Sequence, residues 1–380
     1  MSQKTWQEQA HDFLTKETQF HLGFLPTEQP NPLTKSLTSD FQKDSKLGVR
    51  CLQKVDFQML PRLKETLSSE RFQKMCEDAY ETLEKGGRII FSGCGATGRL
   101  SILLQAMWKR GCKKYGRPDL GDRVEGIQTG GDFAVVRCIP SFEDFKIVGY
   151  QQAVELKVCE KDMFVAITEG GETSSVLGSL DRAIEVGSKC YLLFNNPADI
   201  LKAHIERSRQ AIEDPRVTVF DLYSGQMAIA GSTRMQATSS EMLVAGVVLE
   251  RALSRLILKT ECHTDFYQAF ENLLNSLGSD ECVAAIARYI DAEASVYLKG
   301  GVVTYYAPDY MVDIFTDTTE RTPTFMLPPF QVKGHETGVE PWTFVKSLRL
   351  GTQAAYDALF ERPPSCLGWT EENYVKMGMR

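Results

Sequence analysis

The sequence predicts an α/β protein: a doubly wound, parallel, five-stranded sheet flanked by helices, followed by a partial, repeat-like second α/β half. Short apolar segments alternate with helical segments over about 170 residues, which is typical of parallel strands joined by crossover helices. The first of these strands leads into a glycine-rich turn at residues 93–98 and then into a helix. A second lysine-glycine-glycine segment at residues 299–301, again before apolar residues, resembles residues 85–87 and indicates an internal repeat.

The composition limits the classes of function. The chain has 380 residues, 43% of them hydrophobic and 24% charged, as in a soluble globular protein. Its net charge of −7 argues against nucleic-acid binding, and no apolar run approaches the ~20 residues of a membrane span. Ten cysteines without C-x-x-C spacing and a polar N-terminus predict reduced thiols and a cytoplasmic protein. We expect no metal and no other cofactor.

Three regions follow from the patterns along the chain. Residues 1–60 are predicted to form an arm, because three prolines between residues 26 and 32 oppose regular structure there. Residues 61–260 are predicted to form the sheet domain, which opens with a helix over 62–85 that stops at two glycines. Residues 261–380 are predicted to be a helical segment and an incomplete or degenerate second half.

Within the sheet domain, the pattern predicts five strands and three helices. The strands are predicted at residues 89–91, 124–127, 162–167, 190–194 and 217–222, and the helices at 177–186, 198–213 and 235–258. The last helix has more apolar positions than one small sheet can cover. We therefore expect a contact with another domain or subunit, that is, a homodimer or an intrachain pseudo-dimer.

Small and polar residues cluster where strands are predicted to pass into helices. The first loop contains Gly95, Ala96 and Thr97, and the second, at residues 168–175, holds two glycines, two threonines and two serines. Glycines allow close approach to a ligand, and helix N-termini offer N–H donors to anions such as phosphate. A helix N-cap explains the hydroxyl residues equally well at a single loop, but two such loops at one edge of a sheet favour a binding site.

Two further segments carry candidate functional residues. Ser232 and Thr233 precede the long helix. Arg234 beside them would bind a phosphate or a loop carboxylate, or be an ordinary surface arginine. Glu143 lies beside Phe142 in a short acidic segment. A carboxylate among apolar neighbours can act as a general base, although a capping or solvated acid is the commoner case.

Taken together, residues 92–100, 129–132, 142–144 and 231–235 are similar in order and spacing to sugar isomerase (SIS) domains. The sequence resembles the branch of N-acetylmuramic acid 6-phosphate etherases and the glucokinase regulatory protein. The arm segment Thr27-Glu28-Gln29-Pro30-Asn31-Pro32 also resembles the etherase arm. The Gly171-Glu172-Thr173 loop looks more like that of amidotransferase-type sugar isomerases.

The resemblance implies a sugar-phosphate site. The phosphate would lie on Thr168, Gly170, Gly171 and Thr173, and the sugar against Gly95, Ala96, Thr97 and Ser232. Glu143 matches the etherase glutamate thought to remove the C2 proton of the sugar.

Departures from the etherase pattern point to a binder with impaired catalysis. Met107 stands where the etherases have the glutamate that acts as the acid, and Gly170 replaces a loop serine. Glu169 adds a carboxylate near the phosphate. We therefore expect a sensor or regulatory protein for a phosphorylated sugar or amino sugar.

Two enzymatic alternatives stay open. One is an etherase-like lyase with Glu143 as base and Glu320 as acid, since residues 317–325 resemble the etherase acid segment. The other is an aldose–ketose isomerase.

Overall fold

The computed structural model describes residues 4–136, 139, 141–307, 311–318 and 342–378. Before the sheet, the chain forms the helices α1 (Trp6–Lys16), α2 (Leu37–Lys43), α3 (Ser45–Asp56), α4 (Met59–Ser68) and α5 (Glu70–Glu84). The proline-rich segment forms two short 3-10 turns, Pro26–Glu28 and Pro32–Thr34.

The prediction of one helix over residues 62–85 is wrong, because Ser69 separates α4 from α5. Ser69 has an extended backbone (φ −71°, ψ 147°), and its hydroxyl accepts the N–H of Phe72 at 3.1 Å. A serine side chain that caps a new helix in this way competes with continuation of the preceding one.

The sheet domain alternates strands with helices. In chain order its elements are β1 (Ile89–Gly93), α6 (Ala96–Lys114), β2 (Val124–Gln128), α7 (Phe133–Val136), α8 (Lys146–Glu155), β3 (Met163–Ile167), α9 (Ser174–Glu185), β4 (Lys189–Phe194), α10 (Ala198–His204), α11 (Glu206–Glu213), β5 (Val217–Asp221) and α12 (Gln236–Leu253). All five strands are parallel, in the order β2-β1-β3-β4-β5. The five predicted strands are confirmed, but the predicted helix 198–213 is two helices, because Ile205 has an extended backbone.

Both faces of the sheet are covered, which confirms the doubly wound architecture. Successive residues of β1 point to opposite faces, so that Ile89 and Phe91 belong to one hydrophobic cluster and Ile90 to the other. The first cluster lies beneath α4, α5, α6 and α12, and the second beneath α9, α10 and α11.

Helix α12 is covered from within the chain. Its apolar residues, Val244, Val247, Val248, Leu249 and Leu253 among them, are buried in the first cluster, where α12 packs on α4, α5 and α6. These side chains therefore give no support for a subunit contact, and the homodimer or pseudo-dimer stays a prediction.

The remaining elements pack beside the sheet domain. A π-helical turn at Ser254–Leu258 is followed by α13 (Phe266–Leu277), α14 (Asp280–Leu298), β6 (Val303–Tyr305), α15 (Met311–Thr318), β7 (Thr343–Val345), α16 (Thr352–Phe360) and α17 (Glu371–Lys376). Strands β6 and β7 pair in parallel. Phe315, Val345 and Phe360 are buried against Ile102 of α6 and Val135 of α7. Within the described ranges, every helix is too short or too polar to span a bilayer.

Candidate functional site

A cavity of about 260 Å³ lies at the carboxyl ends of β1 and β3. The chain leaves β1 for β2 on one side and reaches β3 on the other, so this is the topological switch point at which ligands bind in open α/β sheets. Among the described residues, its wall includes Glu28, Cys94, Gly95, Ala96, Thr97, Arg99, Gln128, Phe142, Glu143, Glu169, Gly170, Glu172, Thr173, Thr233 and Arg234.

The loop after β1 (residues 93–98) is held by its own residues and opens α6 toward the cavity. Gly95 has φ +57° and ψ −120°, a backbone conformation that only glycine adopts readily. The Thr97 hydroxyl accepts the N–H of Cys94 at 3.0 Å and donates to its carbonyl oxygen at 2.9 Å. Thr97 therefore fixes the loop with its hydroxyl, and the loop presents backbone and the α6 N-terminus to the cavity.

The loop after β3, which we call the anion loop (residues 168–173), is held in place by hydrogen bonds. The Thr168 and Thr173 hydroxyls lie 2.8 Å apart. Asn196 donates to the carbonyl of Gly170 at 2.9 Å, and Ser208 donates to that of Gly171 at 2.8 Å. Gly170 and Thr173 line the cavity, whereas the described wall does not include Thr168, which is buried, or Gly171.

The carboxylate of Glu172 folds back over the anion loop. A Cβ atom added at Gly170 would lie 2.9 Å from Glu172 Oε1, and the Thr173 hydroxyl donates to Glu172 Oε2 at 3.3 Å. Burial raises the pKa of Glu172, and Arg207, whose Nε donates to the Glu172 carbonyl, opposes that rise. A serine at position 170 would therefore require the Glu172 carboxylate, the end of a flexible side chain, to shift.

Glu169 turns away from the anion loop toward the start of α12. The Thr233 hydroxyl donates to Glu169 Oε2 at 2.8 Å, and the Thr238 hydroxyl donates to Oε1. Ser232 is buried outside the described wall, where its hydroxyl accepts Nη1 of Arg234 at 3.1 Å. Of the residues predicted before α12, it is thus Thr233 that the structure places on the cavity.

Helix α12 carries a buried carboxylate, Glu241, near Glu169 of the cavity wall. Glu241 of α12 is fully buried, and Asn195 at the end of β4 donates to its Oε1 at 2.8 Å. Its Oε2 has no hydrogen-bond partner among the described residues. Burial, with the negative charge of Glu169 added, raises the pKa of Glu241 well above its ordinary value.

Glu143 lies on the cavity wall in a short 3-10 turn, Phe142–Asp144. Its Oε2 is 4.0 Å from Sγ of Cys94 in the first loop, so the structure brings this candidate base to the predicted sugar side of the cavity. Glu320, the acid in the lyase hypothesis, lies outside the described residues.

The N-terminal arm contributes Glu28, which was not among the predicted site residues. The neighbouring Thr27 exchanges hydrogen bonds with Asn196 at 3.0 and 3.2 Å, and its carbonyl accepts the N–H of Gly231 at 2.9 Å. Burial and the charge of Glu172 raise the pKa of Glu28. The resemblance of the arm segment to the etherases was a signal that could have found Glu28.

Met107 does not face the cavity. Its side chain is 54% exposed, and it lies ten residues after Thr97, about 15 Å along α6 at 1.5 Å per residue. The residue at position 107 therefore does not decide which acids line this cavity.

Comparison with known proteins shows what parts of this chain are similar to. Residues 71–184 match the family model of the glucokinase regulatory protein N-terminal SIS domain. The chain is 31% identical over 189 residues to the N-acetylmuramic acid 6-phosphate etherase of Lactococcus lactis, a match that covers 50% of this chain and 55% of that protein. It is 27% identical over 243 residues to N-acetylmuramic acid 6-phosphate etherase 1 of Bacillus licheniformis, covering 62% of this chain and 71% of that protein.

A phosphoheptose isomerase from Francisella tularensis is similar in structure at 13% identity and a TM-score of 0.37, over 53% of this chain and 94% of that one. The chain spans about half the length of the Lactococcus etherase. The family match and the sequence relatives agree with the motifs on the two cavity loops. Residues 71–184 are therefore similar to a SIS domain, and the chain resembles the branch of N-acetylmuramic acid 6-phosphate etherases and the glucokinase regulatory protein.

Proposed function

We propose that this chain binds a phosphorylated sugar or amino sugar in the cavity at the ends of β1 and β3, and that it acts as a sensor or regulatory protein with impaired catalysis. One observation carries the proposal: two strand-to-helix loops rich in hydrogen-bond donors meet at a single cavity at the topological switch point. Such donors, aligned with helix N-termini, are what a phosphate group needs.

The proposed pose follows from the two loops. The phosphate lies on the anion loop against Gly170 and Thr173, with Arg234 on the same cavity wall. The sugar lies against Gly95, Ala96 and Thr97. Glu143 then faces the sugar, since its carboxylate lies 4.0 Å from Sγ of Cys94 in the loop against which we place the sugar.

The arrangement of the carboxylates favours binding over catalysis. An etherase needs one carboxylate as base and a carboxylic acid that protonates the leaving oxygen. Glu143 is placed to be the base. Glu169 is held by two threonine hydroxyls at the start of α12, and Glu172 lies over the anion loop where we place the phosphate, so both are engaged in other contacts.

The alternative is an etherase-like lyase with Glu143 as base and Glu320 as acid. The position of Glu143 on the wall favours it, as do the printed names of the relatives. The isomerase alternative is favoured by the Gly171-Glu172-Thr173 loop, but the histidine within the sheet domain, His204, is exposed, packs against Phe24 with ring centroids 5.0 Å apart, and is not part of the described wall.

Calorimetry with a panel of sugar phosphates tests the proposal. We expect binding that Thr173→Val weakens by about 1.5–3 kcal/mol, the scale of a hydrogen bond to a charged group, and that Thr260→Val at an exposed position leaves unchanged. Absence of binding to every sugar phosphate would contradict the proposal.

A lactate assay with N-acetylmuramic acid 6-phosphate separates the binder from the lyase. We expect little or no release, because loss of a general acid costs a factor of about 10²–10⁴. Robust release that Glu143→Gln and Glu320→Gln each abolish would establish the lyase.

A further inference from the structure

The C-terminal part of the chain reaches the turn that carries Glu143. We call residues 362–376 the C-terminal clasp. The guanidinium of Arg362 binds both carboxylate oxygens of the buried Asp132, at 2.5 and 2.9 Å. The backbone of Ser365 adds two hydrogen bonds to Asp132, one of them to the carboxylate at 2.6 Å. This double attachment fixes the clasp beside the loop that follows β2.

Beyond this attachment, the clasp places aromatic rings on Phe142. The ring of Trp369 stacks on that of Phe142 with centroids 6.4 Å apart and planes 26° apart, and the ring of Tyr374 lies at 6.1 Å. Nε1 of Trp369 donates to Oε1 of Glu155 at 2.6 Å, at the end of α8. Trp369 therefore bridges the turn before α8 and the end of that helix.

The turn is largely exposed, although it also packs against α8 and α9. Of residues 141–145, Phe142 is half-buried and the other four are exposed. Two backbone hydrogen bonds lie within the turn, one of 3.1 Å from Asp144 to Ser141 and one of 3.5 Å from Phe145 to Phe142. Ser141 has φ +68°, in the left-handed region that non-glycine residues seldom adopt. Phe142 is thus the half-buried side chain of the turn, and its packing helps to set where its neighbour Glu143 lies.

We propose that Trp369 and Tyr374 are positioning residues for Glu143. They hold Phe142, and Phe142 holds the turn so that the Glu143 carboxylate faces the sugar side of the cavity. This inference rests on the proposed function, in which Glu143 contacts the sugar and the anion loop contacts the phosphate. It assigns to the C-terminal clasp a role in binding the sugar and no role in binding the phosphate.

The test compares two ligands on each variant by calorimetry: a sugar phosphate that the wild-type protein binds, and inorganic phosphate. Trp369→Ala should weaken binding of the sugar phosphate about five- to tenfold, which is within the range that stacked aromatic pairs reach. It should leave the affinity for inorganic phosphate unchanged. Trp369→Phe keeps a ring on Phe142 and should restore most of the affinity. Trp6→Ala, at a 73% exposed tryptophan in α1, is the matched control and should change neither ligand.

A double-mutant cycle links the effect to Glu143. If Trp369 acts through Glu143, then Trp369→Ala should reduce sugar-phosphate affinity only slightly in a Glu143→Gln background. The two losses of affinity are then not additive. Tyr374→Ala, which removes the second ring, should behave like a weaker Trp369→Ala and serves as a second variant if the first does not fold.

The outcomes are distinct. Equal loss of sugar phosphate and inorganic phosphate, or full additivity with Glu143→Gln, would overturn the positioning role while leaving the proposed function intact. A wild-type protein that binds inorganic phosphate but no sugar phosphate would overturn both.

Discussion

Replacing Glu241 with glutamine should change how stability depends on pH. Glu241 is buried beneath the cavity, with one carboxylate oxygen bonded to Asn195 and the other without a partner in the described part of the chain. Burial and the nearby charge of Glu169 raise its pKa well above the ordinary value. Glutamine keeps the shape and the acceptor for Asn195, and it removes the ionisation.

The sign and size follow from proton linkage. Because the folded pKa is raised, the unfolded chain loses the proton first as pH rises, and the folded protein keeps it. Stability therefore falls by up to about 1.4 kcal/mol per pH unit, the value for one proton. The fall begins near the ordinary glutamate pKa and ends once Glu241 ionises in the folded protein. Below the ordinary pKa its contribution is fully present.

Urea unfolding at several pH values measures this difference. The free energy of unfolding of the wild type should fall relative to that of Glu241→Gln from about pH 4.5 upward. Glu250→Gln changes an exposed glutamate on the same helix and should run parallel to the wild type. Parallel curves for wild type and Glu241→Gln through pH 8 would refute the reasoning, since they would mean that Glu241 binds protons equally in both states.

Three further changes are informative. Glu172→Gln should tighten inorganic phosphate binding at pH 8 by about 1–3 kcal/mol, which is the charge repulsion expected at roughly 5 Å for effective dielectric constants of 20 to 80. Calorimetry that finds no gain in affinity would mean that this carboxylate moves aside without cost. Gly95→Ala should lower the free energy of unfolding by about 1–3 kcal/mol through backbone strain, whereas Gly246→Ala in α12 should not lower it. Met107→Glu should leave sugar-phosphate affinity within about twofold and create no lactate release; a gain in release would place position 107 in a catalytic site.

The sheet could be predicted from the sequence because each strand carries its own signal. A buried parallel strand is a continuous apolar run, and the residues 162–167 and 190–194 have no competing interpretation. The breaks at Ser69 and Ile205 could not be placed, since helical periodicity continues through both positions. At Ser69, a single side-chain hydrogen bond that caps α5 marks the break.

The site could be predicted only in part, for a related reason. Glycine and hydroxyl residues after a strand mark the loops, and Gly95, Gly170 and Thr173 do lie on the cavity. Glu28 reaches the cavity and Arg207 reaches the anion loop from segments far away in sequence. The resemblance of the arm to the etherases marks Glu28, whereas nothing local marks Arg207. The direction in which a hydroxyl points also cannot be predicted from sequence. The hydroxyls of Thr97 and Thr168 make hydrogen bonds within their own loops.

The charge of the cavity wall appears at first to oppose a phosphate, because four glutamates face two arginines. Burial raises the pKa of two of these carboxylates, Glu172 and Glu28, which disfavours their charged forms. A third, Glu169, is held by hydroxyl donors and turned toward α12. The donors that we assign to the phosphate are backbone N–H groups and a threonine hydroxyl, which do not titrate. A phosphate therefore meets donors that do not change with pH and carboxylates that become more negative as pH rises, and Glu172 is the carboxylate that lies over the loop where we place it.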